Sequence, residues 1–328
     1  MEYETSTTGK VLRAGGSDDP RYRVLCLPGG LCTAVFYDDV LATPALAAGA
    51  VRAFATTLPG FGGVPFPAGF DASPEAHAAY AGELARDLDC DAVVGHSFGA
   101  NVALEMAAGG HFDGPVILLA PTFSAEDEMK GLETFNRIGY VPGVRTLATA
   151  LLFRTFPKML EGNVPAESVD QLAAEMASNN RTDIRINLRR SYQYLYKHGT
   201  LAGRLCRSGV RAEVVFGEDD EVGMTPAERS TLEACPTIRL HFVPNCGHML
   251  PNQTPDRVAE LIVDTVATAP QPTATTLPGE PTAPDALRPA PAGPVAVGPQ
   301  PLVSRACSTR GPSAPVQSGA TRSWRRSA

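Results

Sequence analysis

Along the first 267 residues, short apolar runs alternate with longer stretches whose apolar residues recur at helical spacing. The runs at 23–27, 52–56, 92–95, 116–120, 213–216 and 238–243 are brief and rich in Val, Ile, Leu or Phe. They read as strands. Residues 74–88, 98–108 and 255–267 read as helices, the last with Val258, Leu261, Ile262 and Val266 on one face. Strand–helix alternation predicts an α/β fold, a parallel sheet with helices on both faces.

One interval breaks the alternation. Between Thr122 and about Leu205 the pattern is helical throughout. Val144, Leu147, Leu151, Leu152, Phe156 and Met159 form a first series. Val169, Leu172, Ala173 and Met176 form a second, and Ile184, Leu188, Tyr192 and Leu195 a third. Gly143 and Pro165 punctuate them. A helical insertion between two strands predicts a cap over the C-terminal edge of the sheet, where open α/β sheets bind ligands.

Composition changes the picture at the C-terminal end. Residues 268–328 hold 12 of the 29 prolines and six arginines against two acids. The net charge of −7 therefore splits into about +4 there and about −11 in the first 267 residues. With Trp324 as its one aromatic residue, this segment is expected to stay a disordered Pro/Ala-rich tail. The rest reads as one domain, residues 1–267, with the cap at about 122–205 inserted in it. An acidic domain without a basic stripe predicts no nucleic-acid partner. No run of 18 apolar residues exists, so no membrane span is expected. The opening MEYETSTTGK lacks the pattern of a signal peptide. Seven cysteines, an odd number without C-x-x-C spacing, predict a reduced, cytoplasmic protein with neither a disulfide framework nor a zinc site.

The chemistry gathers in four places. Gly95-His96-Ser97-Phe98-Gly99 lies between a strand-like run and a helical one, as G-x-S-x-G. A serine on so sharp a turn projects its hydroxyl, and glycines two positions away avoid a clash. The helix that follows points its N-terminus at the site and favours developing negative charge. A serine hydroxyl needs a base. His96 adjoins Ser97 but is expected to point elsewhere. His77, His111, His198 and His241 read as structural or solvated. His248 follows the last strand in Asn245-Cys246-Gly247-His248, on the same edge as Ser97, and is the expected base. The run Gly217-Glu218-Asp219-Asp220 supplies an acid to hold that base; its spacing favours Asp220, with Asp219 as the alternative. Oxyanion donors are expected from the main chain of Phe98 and of Gly30 in Leu27-Pro28-Gly29-Gly30-Leu31, with Leu31 as the alternative to Gly30.

Together with Thr57-Leu58-Pro59-Gly60-Phe61-Gly62, and in this order, these motifs resemble those of the alpha/beta-hydrolase-fold superfamily over about residues 22–265. The resemblance implies a mostly parallel eight-stranded sheet with a helical cap after the sixth strand. It implies Ser97 as nucleophile, His248 as base, Asp220 as acid, and Gly30 and Phe98 as oxyanion donors. Pro28 stands where many members carry the histidine of a His-Gly-x turn. Serine at the elbow weighs against haloalkane dehalogenases and many epoxide hydrolases, which place aspartate there.

The expected activity is that of a serine hydrolase on an ester, thioester or lactone of a medium-sized, largely apolar molecule. The alternative is a non-hydrolytic lyase or cyclase of natural-product biosynthesis; a pure ligand receptor is the third reading. Neither a cofactor nor a metal is implied, and the expected partner is a small-molecule substrate. Phe36 and Phe123 are candidate pocket walls, with core packing as the alternative, and Cys32 reads as a packing residue beside that pocket.

Overall fold

The computed structural model describes residues 2–5, 10–127, 150–151, 153–155 and 164–268. Eight strands, β1 (Glu2–Thr5), β2 (Val11–Gly16), β3 (Tyr22–Leu27), β4 (Val51–Ala55), β5 (Ala92–His96), β6 (Val116–Leu119), β7 (Ala212–Gly217) and β8 (Ile238–Val243), form one sheet. Its order is β1-β2-β4-β3-β5-β6-β7-β8. The pairs β1/β2 and β2/β4 are antiparallel, and every pair from β4/β3 to β7/β8 is parallel.

The central strands are apolar on both faces, as parallel strands must be when helices cover each side. Leu25, Val93, Leu118 and Val214 face one core, whereas Val24, Val94, Ile117 and Val215 face the other. Two-residue alternation thus divides the interior into two layers.

The strands are accompanied by helices α1 (Asp38–Leu41), α2 (Pro44–Ala48), α3 (Pro74–Asp87), α4 (Phe98–Ala108), α5 (Ala166–Ala177), α6 (Arg181–His198), α7 (Ala202–Ser208), α8 (Pro226–Glu233), α9 (Leu250–Gln253) and α10 (Pro255–Ala267). Local chemistry sets their starts. Ser73 accepts from the Ala76 N–H ahead of Pro74 in α3, and Thr225 and Glu228 form a capping box on α8. In α10, Val258, Ile262 and Val266 of the stripe read from the sequence are buried, and Leu261 is half-buried beside them.

Helices α5, α6 and α7 lie in the insertion between β6 and β7, and the second and third apolar series fall on α5 and α6. The first, from Val144 to Met159, lies largely outside the described residues, as does the 269–328 segment. Buried Glu105 of α4 ties the insertion down. It accepts from Tyr194 Oη of α6 at 2.7 Å and from both Nε and Nη2 of Arg204 of α7 at 2.8 and 2.6 Å.

Two sequence expectations are corrected or extended. Cys206 and Cys235 form a disulfide, so the chain is not wholly reduced. The fold brings the end of α7 against the end of α8, a proximity that cysteine spacing does not reveal. The β1–β2 hairpin escaped the apolar pattern, because β1 is Glu-Tyr-Glu-Thr and β2 carries Arg13, Gly15 and Gly16. No helix among the described residues is long and apolar enough to cross a membrane.

Candidate active site

Strand register gathers the predicted residues on one edge. Leu27 pairs with Gly95, His96 with Leu119, and Gly217 with Val243. The loops after β3, β5, β7 and β8 therefore leave the sheet at a common level, at its C-terminal edge.

Ser97 occupies the turn between β5 and α4 with φ 50° and ψ −114°. A side-chain-bearing residue holds such a conformation only where its surroundings impose it. Here the Ser97 N–H donates to the Leu119 carbonyl at 2.8 Å, and its own carbonyl accepts from Asn101 N–H at 3.1 Å. A Cβ at Gly95 would sit 2.2 Å from the Gly99 oxygen, and one at Gly99 would sit 2.2 Å from the Leu27 oxygen. Both positions exclude any larger residue.

The loop after β3 packs against this turn. A Cβ at Gly29 would lie 3.5 Å from Ser97 Cβ, and one at Gly30 would lie 3.7 Å from Phe98 Cβ. Gly30 thus lies close to Phe98, and Gly29 close to Ser97. The Phe98 N–H is among the first donors of α4, which have no acceptor within the helix. Its ring is held by Phe61 and His77, at centroid distances of 5.3 and 5.1 Å.

His248 and Asp220 are brought together. The His248 Nδ1 lies 3.0 Å from Asp220 Oδ2 and 3.1 Å from Oδ1. The Asp220 side chain is 1% exposed and that of His248 17%, so the pair is open on the histidine side. Asp220 Oδ1 also accepts from the Val222 N–H at 2.8 Å. Of the two acids weighed, Asp219 is exposed, and it serves the loop through its main chain, donating to the Cys246 carbonyl at 3.0 Å. Among the described residues, no hydrogen bond joins Ser97 Oγ to His248. Such bonds are often long in unliganded sites and tighten around substrate.

Two supports were not foreseen. Gln253 Oε1 accepts from the Gly247 N–H at 2.8 Å and steadies the loop carrying His248. Among the described residues His96 makes no hydrogen bond to Ser97; its Nε2–H donates to the main-chain carbonyl of His248 at 2.8 Å. Burial, reinforced by the nearby His248 ring, pushes the His96 pKa down to about 3 and keeps the ring neutral. Adjacency to the elbow serine was its only sequence signal.

Three of the other histidines are engaged elsewhere, His77 with the carbonyls of Ser73 and Pro59, His198 with Glu75, and His241 with Glu213, and His111 is half-buried in the loop after α4. Phe36 and Phe123 are both fully buried, Phe36 against His96 and Phe123 against Phe216, which favours the core-packing alternative for each. Cys32 is buried, and its thiol pKa is raised chiefly by burial.

Residues 24–261 match the model of the alpha/beta hydrolase family. No curated protein matches the sequence significantly. Among solved structures, MenH from S. aureus is similar at 15% identity with a TM-score of 0.60, covering 78% of this chain and 97% of that one. A thermophilic esterase from Thermogutta terrifontis is similar at 16% identity with a TM-score of 0.60, covering 80% and 97%. A hydrolase from Oleispira antarctica is similar at 15% identity with a TM-score of 0.60, covering 78% and 94%. At such identities the likeness concerns the fold alone.

Proposed function

The chain belongs to the alpha/beta hydrolase family, and on that footing we propose that it is a serine hydrolase acting on an ester, thioester or lactone of a medium-sized, largely apolar molecule. The observation that carries this reading is the His248–Asp220 bond, 3.0 Å long, on the same sheet edge as the strained Ser97 turn.

In this mechanism His248 Nε2 takes the proton of Ser97 Oγ as that oxygen attacks the substrate carbonyl. Asp220, bonded to Nδ1–H, fixes the tautomer and stabilises the imidazolium that forms. The oxyanion falls between the main-chain N–H groups of Gly30 and Phe98, at the positive end of α4. His248 then returns the proton to the leaving group, and water, activated by the same imidazole, releases the acyl group. No metal or cofactor takes part. The helices inserted between β6 and β7 act as a cap, and residues 1–267 form the catalytic domain.

Labelling by a fluorophosphonate tests the reading. The wild-type protein is expected to be labelled at Ser97 and to hydrolyse p-nitrophenyl esters. Ser97→Ala removes the label and lowers kcat more than about 10³-fold. Absence of label on folded protein at neutral pH overturns the reading. A panel of acyl esters, thioesters and lactones then assigns the substrate class.

A further inference from the structure

Immediately after Gly30 the chain adopts a conformation that its own sequence does not favour. Leu31 has φ 71°, the left-handed region that glycine occupies freely and leucine does not. A turn within the loop, closed by the Cys32 N–H on the Gly29 carbonyl at 3.2 Å, demands it, and a restraint from outside the loop secures it.

That restraint comes from α5 and the turn after it. Asn179 Nδ2 donates to the Leu31 carbonyl at 2.8 Å. Glu175 Oε2 accepts from the Thr33 N–H at 2.7 Å and from Thr33 Oγ1 at 2.8 Å. Gln171 Nε2 donates to the Val35 carbonyl at 3.2 Å. The three side chains recur every fourth residue, and their partners every second residue of an antiparallel-running segment. One face of α5 thus lies along residues 31–35, from the left-handed Leu31 to Val35 in the 3-10 turn Ala34–Tyr37. Asn179 also reaches across with Oδ1 to accept from the Gly62 N–H at 2.9 Å.

Glu175 is the costly member. It is 7% exposed, and its Oε1 has no hydrogen-bond partner among the described residues. A buried carboxyl with one oxygen unsatisfied is unfavourable for stability alone, and its other oxygen is committed to the loop through Thr33.

We propose that Glu175 and Asn179 are positioning residues for catalysis, clamping residues 31–33 so that the Gly30 N–H is held toward the oxyanion. The inserted helices thereby govern transition-state stabilisation as well as access to the site. This rests on the serine-hydrolase reading.

The test uses the full chain with p-nitrophenyl butyrate and an alkyl trifluoromethyl ketone, whose adduct with Ser97 places an oxyanion between the two donors. Glu175→Ala is expected to lower kcat about 10- to 100-fold with KM within about 3-fold, since a displaced oxyanion donor acts on the transition state. The inhibition constant of the ketone rises by the same factor. Glu175→Gln, which keeps an acceptor for Thr33, restores kcat to within about 3-fold of wild type. Thr33→Val, close in shape, keeps the N–H but loses the hydroxyl that donates to Glu175 and accepts from the Val35 N–H at 3.3 Å, and lowers kcat about 3- to 10-fold; it serves if Glu175→Ala does not fold. The clamp is overturned if folded Glu175→Ala or Thr33→Val keeps wild-type kcat, or if Gln is as damaging as Ala. A wild-type protein that neither hydrolyses the ester nor takes a fluorophosphonate sinks the hydrolase reading and the clamp with it. An active wild type with unaffected variants sinks the clamp alone.

Discussion

The imidazole of His96 donates from Nε2 to the carbonyl of His248 at 2.8 Å, and the two rings lie 4.9 Å apart between centroids. The residue before the elbow serine therefore supports the main chain of the candidate base. His96→Phe keeps a ring against Phe36 but removes the donor. The expected result is a fall in kcat of about 10- to 100-fold with KM little changed, since a small displacement of a reacting group is costly. The same variant has a stability signature. A lowered histidine pKa favours the neutral folded form, so this stabilisation is full above about 6.5 and is lost as pH falls toward about 3. Between pH 8 and pH 5 it amounts to about 2 kcal/mol. Denaturant melts of His96→Phe should lack that component; an unchanged pH dependence contradicts it.

Asp220 and Asp219 are separated by their neighbours. Asp220→Asn removes the acceptor that orients His248 and is expected to lower kcat about 10³- to 10⁴-fold with near-normal folding. Asp219 contributes a main-chain bond that Asn preserves, so Asp219→Asn should stay within about 3-fold of wild type. Steady-state kinetics on the pair decide which carboxylate serves, and equal losses would refute the choice.

Much of this arrangement was legible in the sequence because it follows from local rules. The β5–α4 turn requires small residues around Ser97, and that requirement is written as Gly95 and Gly99. The buried strands need apolar residues on both faces, and most positions of β3 to β7 display them. The His248 loop follows a strand with a clear pattern. What stayed hidden depends on meetings distant in the chain. Glu175 reads as one more polar position on an amphipathic helix until α5 is laid along residues 31–35, 142 positions from its partner Thr33. The Cys206–Cys235 bridge spans 29 residues and has no motif. Strand β2 hides because Arg13, bonded to Asp38, interrupts its apolar run.

Gly217 shows how the loops after β7 and β8 depend on each other. A Cβ there would sit 2.1 Å from the Cys246 oxygen and 2.5 Å from the Gly247 oxygen. Gly217→Ala must push the His248 loop outward, since backbone atoms cannot yield as a side-chain tip can. The expected cost is about 1–3 kcal/mol of stability. Activity should fall further than the loss of folded protein explains, which a thermal melt and an active-site titration of the same sample will separate.

The Glu105–Arg204–Tyr194 cluster joins α4 to the inserted helices and is expected to bear on stability, not on chemistry. The Glu105 side chain is 4% exposed and that of Arg204 26%. Arg204→Met leaves a buried carboxylate with only the Tyr194 hydroxyl, at a cost of about 3 kcal/mol. The kcat of the folded fraction should remain within about 2-fold of wild type. A large kcat effect without destabilisation would show instead that α6 and α7 transmit to the site.

Burial raises the Glu175 pKa to about 7, with nearby Asp38 adding to the shift and Thr33 and Arg13 opposing it. The nearby Cys32 thiol is pushed up as well and stays neutral through this range. A raised carboxyl pKa means that the folded state holds the proton more tightly than the unfolded chain. The associated stabilisation is full below about 4.5 and is lost as pH rises through about 7. Glu175→Gln cannot ionise and escapes that loss. Its stability relative to wild type should therefore climb between pH 4.5 and pH 8, by about 2–3 kcal/mol. Urea melts of both proteins at the two pH values measure this climb. A constant difference between them would mean that Glu175 is ionised without penalty, and that its contact with Thr33 costs the fold nothing.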